Sequence, residues 1–512
     1  MNRLRSDHAL RATSGFGAQS LGLAAALALA AFGLVRGTWA VGGSDSSCYA
    51  LMADAFAHGR LQPASSLAID APWPDAPLTL APAGFVPSPV QRDGASPICT
   101  AGMSVLMAPL MIAGGAEAMF LLTPLAAALL VWCSFVLARR LAGGMAGAVA
   151  AVLVASSPIV LFQSVQPMND IVTAALWIGA ISAASWDSRR SGWIAGLCTG
   201  AAILVRPNLA PLAMIVGAMR PEWPFLVAGC PGVAILLGLN YGLYGSPWRT
   251  GYGDASQLFA LSHMPANAVN YSRALVASQT ILPIVGIAAP FVFADRQRRL
   301  AWSWLAAAVA VVGIYLLYTP YPEWWYLRFM IPALVLMVVL ASAVVVDLGR
   351  RARMGGVVAI ATVVLALWMV ETPGAKDARG LQQMEGRYRD MGHLVRDRLP
   401  PRAVLLTVWQ SGSVKFHAGR EAVMWDSLDP AWLDRCVAWL TAQGRVPYIL
   451  VERREEAEFR ARFRGASALG ALDWPPRFDL NRQARIFDPA DRARYASGES
   501  YQTENVGAAR RR

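Results

Sequence analysis

The chain has 512 residues, of which 55% are apolar or aromatic and only 15% are charged, whereas ordinary soluble domains have roughly 45–50% and about 25%. This composition excludes a single soluble core. The net charge of +12 comes almost entirely from arginine; before residue 372 the arginines stand in short clusters between apolar runs, which is typical of orientation in a membrane and not of nucleic-acid binding.

The apolar runs predict an α-helical polytopic membrane protein, because many are near the ~20 residues that cross the hydrocarbon of a bilayer. The arginine clusters lie on the cytoplasmic side and the acidic loops on the outer side only if the number of crossings is odd and the N-terminus is in the cytoplasm. The first run also resembles a signal peptide, but the later runs favour an uncleaved span. The eleven predicted crossings are at about 19–40, 117–138, 144–164, 169–187, 191–205, 207–219, 224–244, 274–294, 300–318, 328–347 and 355–371.

Two of these predicted crossings, 191–205 and 207–219, are short and separated by Arg206-Pro207. We expect them to be tilted, discontinuous or merged, because irregular backbone at membrane depth needs protein or a cavity around it.

The first outer loop, residues 41–100, is the longest polar insertion in the apolar region, and such loops usually carry function. Ser44 or Asp45 can cap a helix from about Ser46 to His58. Asp45 is then either an ordinary cap or a carboxylate placed at the outer face to accept a proton from a hydroxyl. The next apolar stretch, 97–115, is predicted to be a juxtamembrane or re-entrant helix, because counting it as a crossing would invert every later loop.

Cys48 and Cys99 both lie in this outer loop, where an oxidising compartment would permit a disulfide. Three further cysteines fall inside apolar runs and are predicted to be inert. The five histidines are isolated from one another, and no Cys/His spacing predicts a zinc site.

The polar tail from residue 372 is predicted to be a small mixed α/β domain with a disordered end, lying outside the cytoplasmic membrane. Residues 403–409 and 447–452 are typical of buried strands, and helices are expected at about 430–441 and 455–463. The predicted domains are therefore 1–371, including the outer loop, and 372–512.

Several motifs resemble the GT-C superfamily of membrane glycosyltransferases, which take sugar from polyprenyl-phosphate donors, and in particular bacterial relatives of protein O-mannosyltransferases and aminoarabinose transferases. Asp45 follows the first span, and an interfacial loop and short apolar segment come next. The resemblance covers roughly residues 15–371 and departs from many members in having Ser46 after Asp45, where they have a second carboxylate. The later motifs are Gln166-Pro167-Met168-Asn169-Asp170, Leu204-Val205-Arg206-Pro207-Asn208 and Trp324-Trp325-Tyr326-Leu327-Arg328-Phe329.

The resemblance implies a multi-pass enzyme of the inner membrane that transfers a hexosyl or pentosyl group to an acceptor hydroxyl on the outer face, with inversion. Asp45 is expected to be the general base. Arg206 and Arg328 are expected to bind the donor phosphate, because both lie at outer ends of spans, where the positive-inside rule disfavours arginine. The alternative for each is contact with lipid headgroups or with a local acid.

Asp170 and the Glu323-Trp324-Trp325 run are further candidates for binding or orienting the substrate. Asp170 could equally be a favourable charge at a helix N-terminus, and the tryptophans could be an interfacial belt. No cofactor is indicated with certainty, and a divalent cation is left open.

The partners expected are a polyprenyl-phosphate sugar donor, the bilayer and a lipid, glycan or protein acceptor, with no nucleic acid. A lipid-linked sugar flippase or secondary transporter is the main alternative, because broken helices and intramembrane arginines also suit transport. A polymerase or ligase that uses lipid-linked oligosaccharide is a third hypothesis. Walker, zinc-protease and Gly-x-Ser-x-Gly motifs do not occur in the sequence.

Overall fold

The computed structural model describes residues 2–188, 190–253, 255–481 and 483–507, with only the backbone for 2–16, 255 and 256. Part of the predicted disordered end, residues 508–512, lies outside them; disorder is the wrong prediction for Glu504–Val506 in the same end, which pairs as a strand with Phe478–Leu480. The chain forms two compact units. The apolar unit comprises 1–37, 120–236 and 253–382, and the mixed unit comprises 38–119, 237–252 and 383–512. This division groups the outer loop with the tail, unlike the predicted domains 1–371 and 372–512, whose limits stay a prediction.

The apolar unit consists of α-helices joined by short 3-10 turns. Its helices are Asn2–Arg36, Leu122–Ala142, Gly144–Ser156, Pro158–Ser164, Asn169–Ala184, Ser191–Val205, Leu212–Met219, the first part of Trp223–Tyr244, Ala255–Leu258, Met264–Gln279, Leu282–Val285, Ala289–Val292, Asp295–Leu316, Ile331–Arg351, Gly355–Glu371 and the first part of Pro373–Arg398. The 3-10 turns are the end of Ala116–Leu121, Pro207–Leu209, Leu261–His263, Gly286–Ala288 and Trp324–Met330.

By length and composition, five of the described helices can cross a membrane, or up to eight if each of three bent pairs is one span. The protein is therefore mostly helical with several apolar helices, while the count of eleven stays a prediction. Within the crossing predicted at about 274–294 the helix is broken, and the crossing itself stays a prediction. The helical segments Leu261–Gln279 and Leu282–Val292 lie at 101° to each other. The first segment ends there because Thr280 takes a φ of +60°.

The helix Ile331–Arg351 lies at the centre of the apolar unit, and most of its residues are buried. Close packing elsewhere depends on glycine. A β-carbon on Gly196 would overlap the Phe225 carbonyl, and one on Gly200 would overlap that of Gly229. Small residues let the backbones of Ser191–Val205 and Trp223–Tyr244 approach closely, as in other membrane helix pairs.

The mixed unit contains the outer loop and a six-stranded sheet. Its helices are Asp45–Ala57, Leu67–Asp70, Ala76–Leu80, Gly102–Gly114, the second parts of Trp223–Tyr244 and Pro373–Arg398, Ser411–Ala418, Leu433–Ala442, Glu456–Phe463 and Pro489–Ala496, with 3-10 turns at Pro430–Trp432 and in the first part of Ala116–Leu121. A two-stranded hairpin pairs Phe85–Pro87 with Ala95–Pro97. The six-stranded sheet is, in spatial order, Glu421–Val423, Ala403–Leu406, Val446–Glu452, Ala484–Phe487, Phe478–Leu480 and Glu504–Val506.

The two strands predicted in the tail are confirmed as Ala403–Leu406 and Val446–Glu452, which are neighbours and parallel. Both are almost wholly buried, which explains their continuous apolar runs. The four other strands have three or four residues each, too short to show a period of two. The predicted helices at 430–441 and 455–463 are also confirmed, as Leu433–Ala442 and Glu456–Phe463.

Within the mixed unit the outer loop packs on the tail. Trp73 and Leu80 share a buried cluster with Trp425, and the Met424 amide donates a hydrogen bond to the Thr79 carbonyl at 2.6 Å. Cys48 and Cys99 form a disulfide. The outer loop is thus a folded part of this unit.

We expect Cys48→Ser to lower the free energy of unfolding by about 3–4 kcal/mol, because the disulfide closes a loop with a sequence separation of 51 and such loops restrict the unfolded chain. Thermal unfolding of the purified protein measures the change. Cys230→Ser, at an exposed free cysteine, is the matched control. Equal midpoints for the two variants would contradict a stabilising role for the bridge.

Candidate functional site

Asp170, one of the predicted site residues, is almost completely buried in the apolar unit. It lies in the first turn of the helix Asn169–Ala184, where the helix dipole favours a negative charge. Its side chain is only 1% exposed. A dipole contributes about 0.3–1 kcal/mol, far less than the several kcal/mol that burying an ion costs. Asp170 therefore needs a cationic partner.

Arg206 provides the nearer partner. The Arg206 guanidinium lies 2.8 Å from Asp170 Oδ1 and donates a hydrogen bond to Asn169 Oδ1 at 2.7 Å. Its position follows from Pro207, because a proline disfavours helical backbone in the residue before it. Arg206 accordingly has φ −145° and ψ 85°, and the helix ends at Val205.

Arg328 approaches the same carboxylate from another part of the chain. It lies in the 3-10 turn Trp324–Met330, and its Nε is 3.9 Å from Asp170 Oδ2. The Phe329 ring contacts both cations, with the guanidinium carbons of Arg206 and Arg328 at 5.4 and 5.2 Å from its centroid. The structure therefore brings together three of the predicted site residues, which we call the arginine cluster: Asp170, Arg206 and Arg328.

The arginine cluster carries one carboxylate and two guanidinium groups, both about seven-eighths buried. Its formal charge is +1. A partly buried positive charge next to an aromatic ring attracts an anion, and arginine presents donors in the geometry that phosphate accepts. A divalent cation at Asp170 would be repelled by both guanidinium groups, so these residues do not fit a metal. No group of three or more His, Cys, Asp or Glu suited to a metal occurs in the described part of the chain.

Next to the arginine cluster the three-residue run Glu323-Trp324-Trp325 has mixed exposure. Glu323 is exposed and precedes the 3-10 turn. The Trp324 indole donates to Asp377 at 3.1 Å and packs against Phe162, so it is held by protein contacts. Trp325 is 39% exposed, and its ring stacks on that of Phe162.

Asp45 belongs to the mixed unit. It is the first residue of the helix Asp45–Ala57, close to the predicted bounds, and it is half-buried. Ser44 occupies the cap position without a side-chain cap hydrogen bond. The disulfide partner Cys48 is in the same helix, and the Cys99 amide donates to its sulfur at 3.3 Å.

Sequence reasoning missed two members of the site, Asn169 as an acceptor for Arg206 and Phe329 as the ring shared by both arginines. Each is adjacent in sequence to a predicted residue. Adjacency is the only sequence signal, because the direction of a side chain depends on the backbone around it.

Comparison with known proteins gives the class of the fold. The family model described as dolichyl-phosphate-mannose-protein mannosyltransferase matches residues 97–230. ArnT from Cupriavidus metallidurans, in a structure bound to undecaprenyl phosphate, has a TM-score of 0.56 at 13% identity, over 91% of this chain and 97% of that chain. The apo oligosaccharyltransferase of Archaeoglobus fulgidus has a TM-score of 0.53 at 13% identity, over 90% of this chain and 73% of that chain. No curated protein matches by sequence.

The chain therefore has the fold of the GT-C membrane glycosyltransferases, and the predicted resemblance is confirmed.

Asp170→Asn should lower the free energy of unfolding by about 3–5 kcal/mol, because it leaves two largely buried arginines without their carboxylate. Thermal unfolding in detergent tests this. The control is Asp54→Asn, which breaks an exposed ion pair with Arg60 at 3.3 Å worth about 0–1 kcal/mol. If both variants unfold together, the arginine cluster is not held by this ion pair.

Proposed function

We propose that the protein is an inverting membrane glycosyltransferase that moves a hexosyl or pentosyl group from a polyprenyl-phosphate donor to an acceptor hydroxyl. The observation that carries the proposal is the arginine cluster: two partly buried cations share a single carboxylate, in a chain with the fold of ArnT. One of the ArnT structures similar to this chain contains undecaprenyl phosphate. A phosphate of that kind can accept hydrogen bonds from two guanidinium groups.

In this proposal Arg206 and Arg328 bind the phosphate of the donor. The carbon–oxygen bond between the sugar and that phosphate breaks while the acceptor oxygen forms a bond to the anomeric carbon from the opposite side. Negative charge grows on the departing polyprenyl phosphate, and preorganised guanidinium groups stabilise it. Asp170 holds the two arginines in place, and its negative charge compensates for the hydration that the guanidinium groups lose on burial.

Asp45 is proposed to accept the proton that the acceptor hydroxyl loses. A general base contributes typically 10²–10⁴-fold to the rate. Glu323 and Trp325 are exposed and are proposed to contact the sugar, because aromatic rings stack on sugar faces and carboxylates accept hydrogen bonds from hydroxyls. Trp324 is proposed to support Trp325, with which it makes an edge contact.

The location proposed is the cytoplasmic membrane, with eleven crossings, the N-terminus in the cytoplasm, and the tail with its sheet on the outer side. The alternation of arginine clusters with acidic loops supports it. The acceptor proposed is a lipid, glycan or protein.

The deciding experiment measures transfer from a panel of radiolabelled polyprenyl phosphosugars to a membrane and glycan extract by the purified, reconstituted protein. We expect Asp45→Asn to lower kcat at least 100-fold with little change in the donor KM, because the amide keeps the shape and removes the base. Asp54→Asn, on the same helix, is the control and should keep normal activity. Movement of lipid-linked sugar across vesicles without any transfer would replace the transferase by a flippase.

Arg328→Gln should weaken binding of polyprenyl phosphate about 10–100-fold, because a hydrogen bond to a charged group contributes about 1.5–3 kcal/mol. It leaves the Arg206–Asp170 pair intact. Titration calorimetry with undecaprenyl phosphate gives the change in Kd. Arg398→Gln, which breaks an exposed pair with Glu504, is the matched control, and equal affinities in the two variants would remove Arg328 from the phosphate site.

A further inference from the structure

The eight residues 41–48, which we call the Asp45 segment, lead into the helix Asp45–Ala57. Their local conformation is closed by hydrogen bonds between the Ser46 hydroxyl and the Gly42 backbone and by a positive φ of +64° at Gly43. Cys48 fixes the far end through its disulfide. Residues 41, 42 and 47, which stand on both sides of Asp45 in the sequence, each contact a residue of the tail. All three contacts lie inside the mixed unit.

The first contact is a hydrogen bond from the Val41 amide to His417 Nε2 at 3.1 Å. His417 belongs to the helix Ser411–Ala418. Burial, together with the charges of His393, Arg389 and Arg396, lowers the pKa of His417 to about 3. The ring is therefore neutral at physiological pH, with Nε2 free of a proton, and it can accept this hydrogen bond.

The second contact is between Gly42 and Tyr388. A β-carbon on Gly42 would overlap the Tyr388 ring, so only glycine allows the backbone to lie against that ring. Tyr388 is itself fixed: it is 3% exposed, and its hydroxyl accepts a hydrogen bond from Arg387 at 2.8 Å.

The third contact is between Gly412 and Ser47. A β-carbon on Gly412 would overlap both Oγ and Cβ of Ser47 but would lie 3.5 Å from its Cα. Gly412 is in the first turn of the helix Ser411–Ala418, and Ser47 is completely buried. The first turn of the Asp45 helix thus rests directly on the backbone of a helix from the tail.

We propose that Tyr388, Gly412 and His417 are positioning residues for Asp45, so that the tail holds the proposed base in place. The proposal rests on the proposed function of Asp45 as the base. A base must lie within hydrogen-bond reach of the proton it takes, and a site displaced by about 1 Å can lose ~100-fold in rate. Contacts at positions 41, 42 and 47 fix the backbone on both sides of Asp45.

The test compares four variants of the full-length protein in nanodiscs: Gly412→Ala, Ser47→Gly, the two combined, and Gly386→Ala. Gly386 is the matched control, because a β-carbon there meets nothing closer than Arg389 at 4.0 Å. Ser47→Gly removes both overlapping atoms, and the Ser47 hydroxyl has no hydrogen-bond partner among the described residues. The measurements are kcat, donor KM and amide hydrogen exchange of a peptide covering residues 41–50.

We expect Gly412→Ala to speed exchange in residues 41–50 and to lower kcat at least tenfold, with donor KM changed less than threefold. Adding Ser47→Gly should restore both kcat and exchange to within about threefold of wild type, and Gly386→Ala should match wild type. A folded Gly412→Ala protein with normal exchange and normal kcat overturns the proposal, as does a slow Gly412→Ala protein that Ser47→Gly fails to rescue.

His417 offers a second, independent pair. His417→Gln keeps a hydrogen-bond acceptor in the side chain, whereas His417→Leu removes it. We expect the leucine variant to lose kcat at least fivefold and to exchange faster in residues 41–50, and the glutamine variant to lie closer to wild type in both. Equal behaviour of the two variants would contradict a positioning role for the Val41 hydrogen bond.

The same data separate this proposal from the proposed function. Wild-type activity in Asp45→Asn would overturn Asp45 as the base while leaving the exchange results unaffected. Normal exchange in Gly412→Ala and His417→Leu would overturn the positioning role while leaving the loss of activity in Asp45→Asn unaffected.

Discussion

The buried carboxylate of Asp170 is the constraint on which the centre of the apolar unit depends. A carboxylate that is 1% exposed is stable only beside cations, because desolvation costs several kcal/mol. Two breaks in helical structure supply them: Pro207 ends one helix at Val205, and a 3-10 turn holds Arg328 before the next. Irregular backbone among apolar helices is tolerated where it surrounds polar groups inside the protein, and here it surrounds the carboxylate of Asp170 and its two arginines.

A carboxylate shared by two arginines also explains why an anion suits this place better than a metal. Both guanidinium groups lie against the one carboxylate of Asp170, and a metal ion there would be repelled by both. The uncharged Phe329 ring adds a weaker, cation–π attraction to both guanidinium groups. The cluster is therefore stable enough to persist, yet it still favours an added negative group.

The mixed unit differs from the apolar unit in what stabilises its polar segments: close contacts of the backbone hold them, and not a buried ion pair. Glycines at positions 42 and 412 allow a ring and a helix to approach the residues around Asp45 without any room for a β-carbon. The buried, neutral imidazole of His417 adds a directional hydrogen bond. Such contacts join segments more than 300 residues apart, so the outer loop and the tail depend on each other for their conformation.

The sequence by itself determined the apolar helices, the start of the Asp45 helix, the break at Arg206-Pro207 and the two buried strands, because each follows from composition, caps or proline within a few residues. It also placed Asp170, Arg206 and Arg328 among the candidate site residues. Only the tertiary structure decided that these three share one cluster with Phe329, that the crossing expected at 274–294 bends at Thr280, and that the outer loop folds with the tail. Those outcomes depend on contacts between distant segments, which local patterns do not encode.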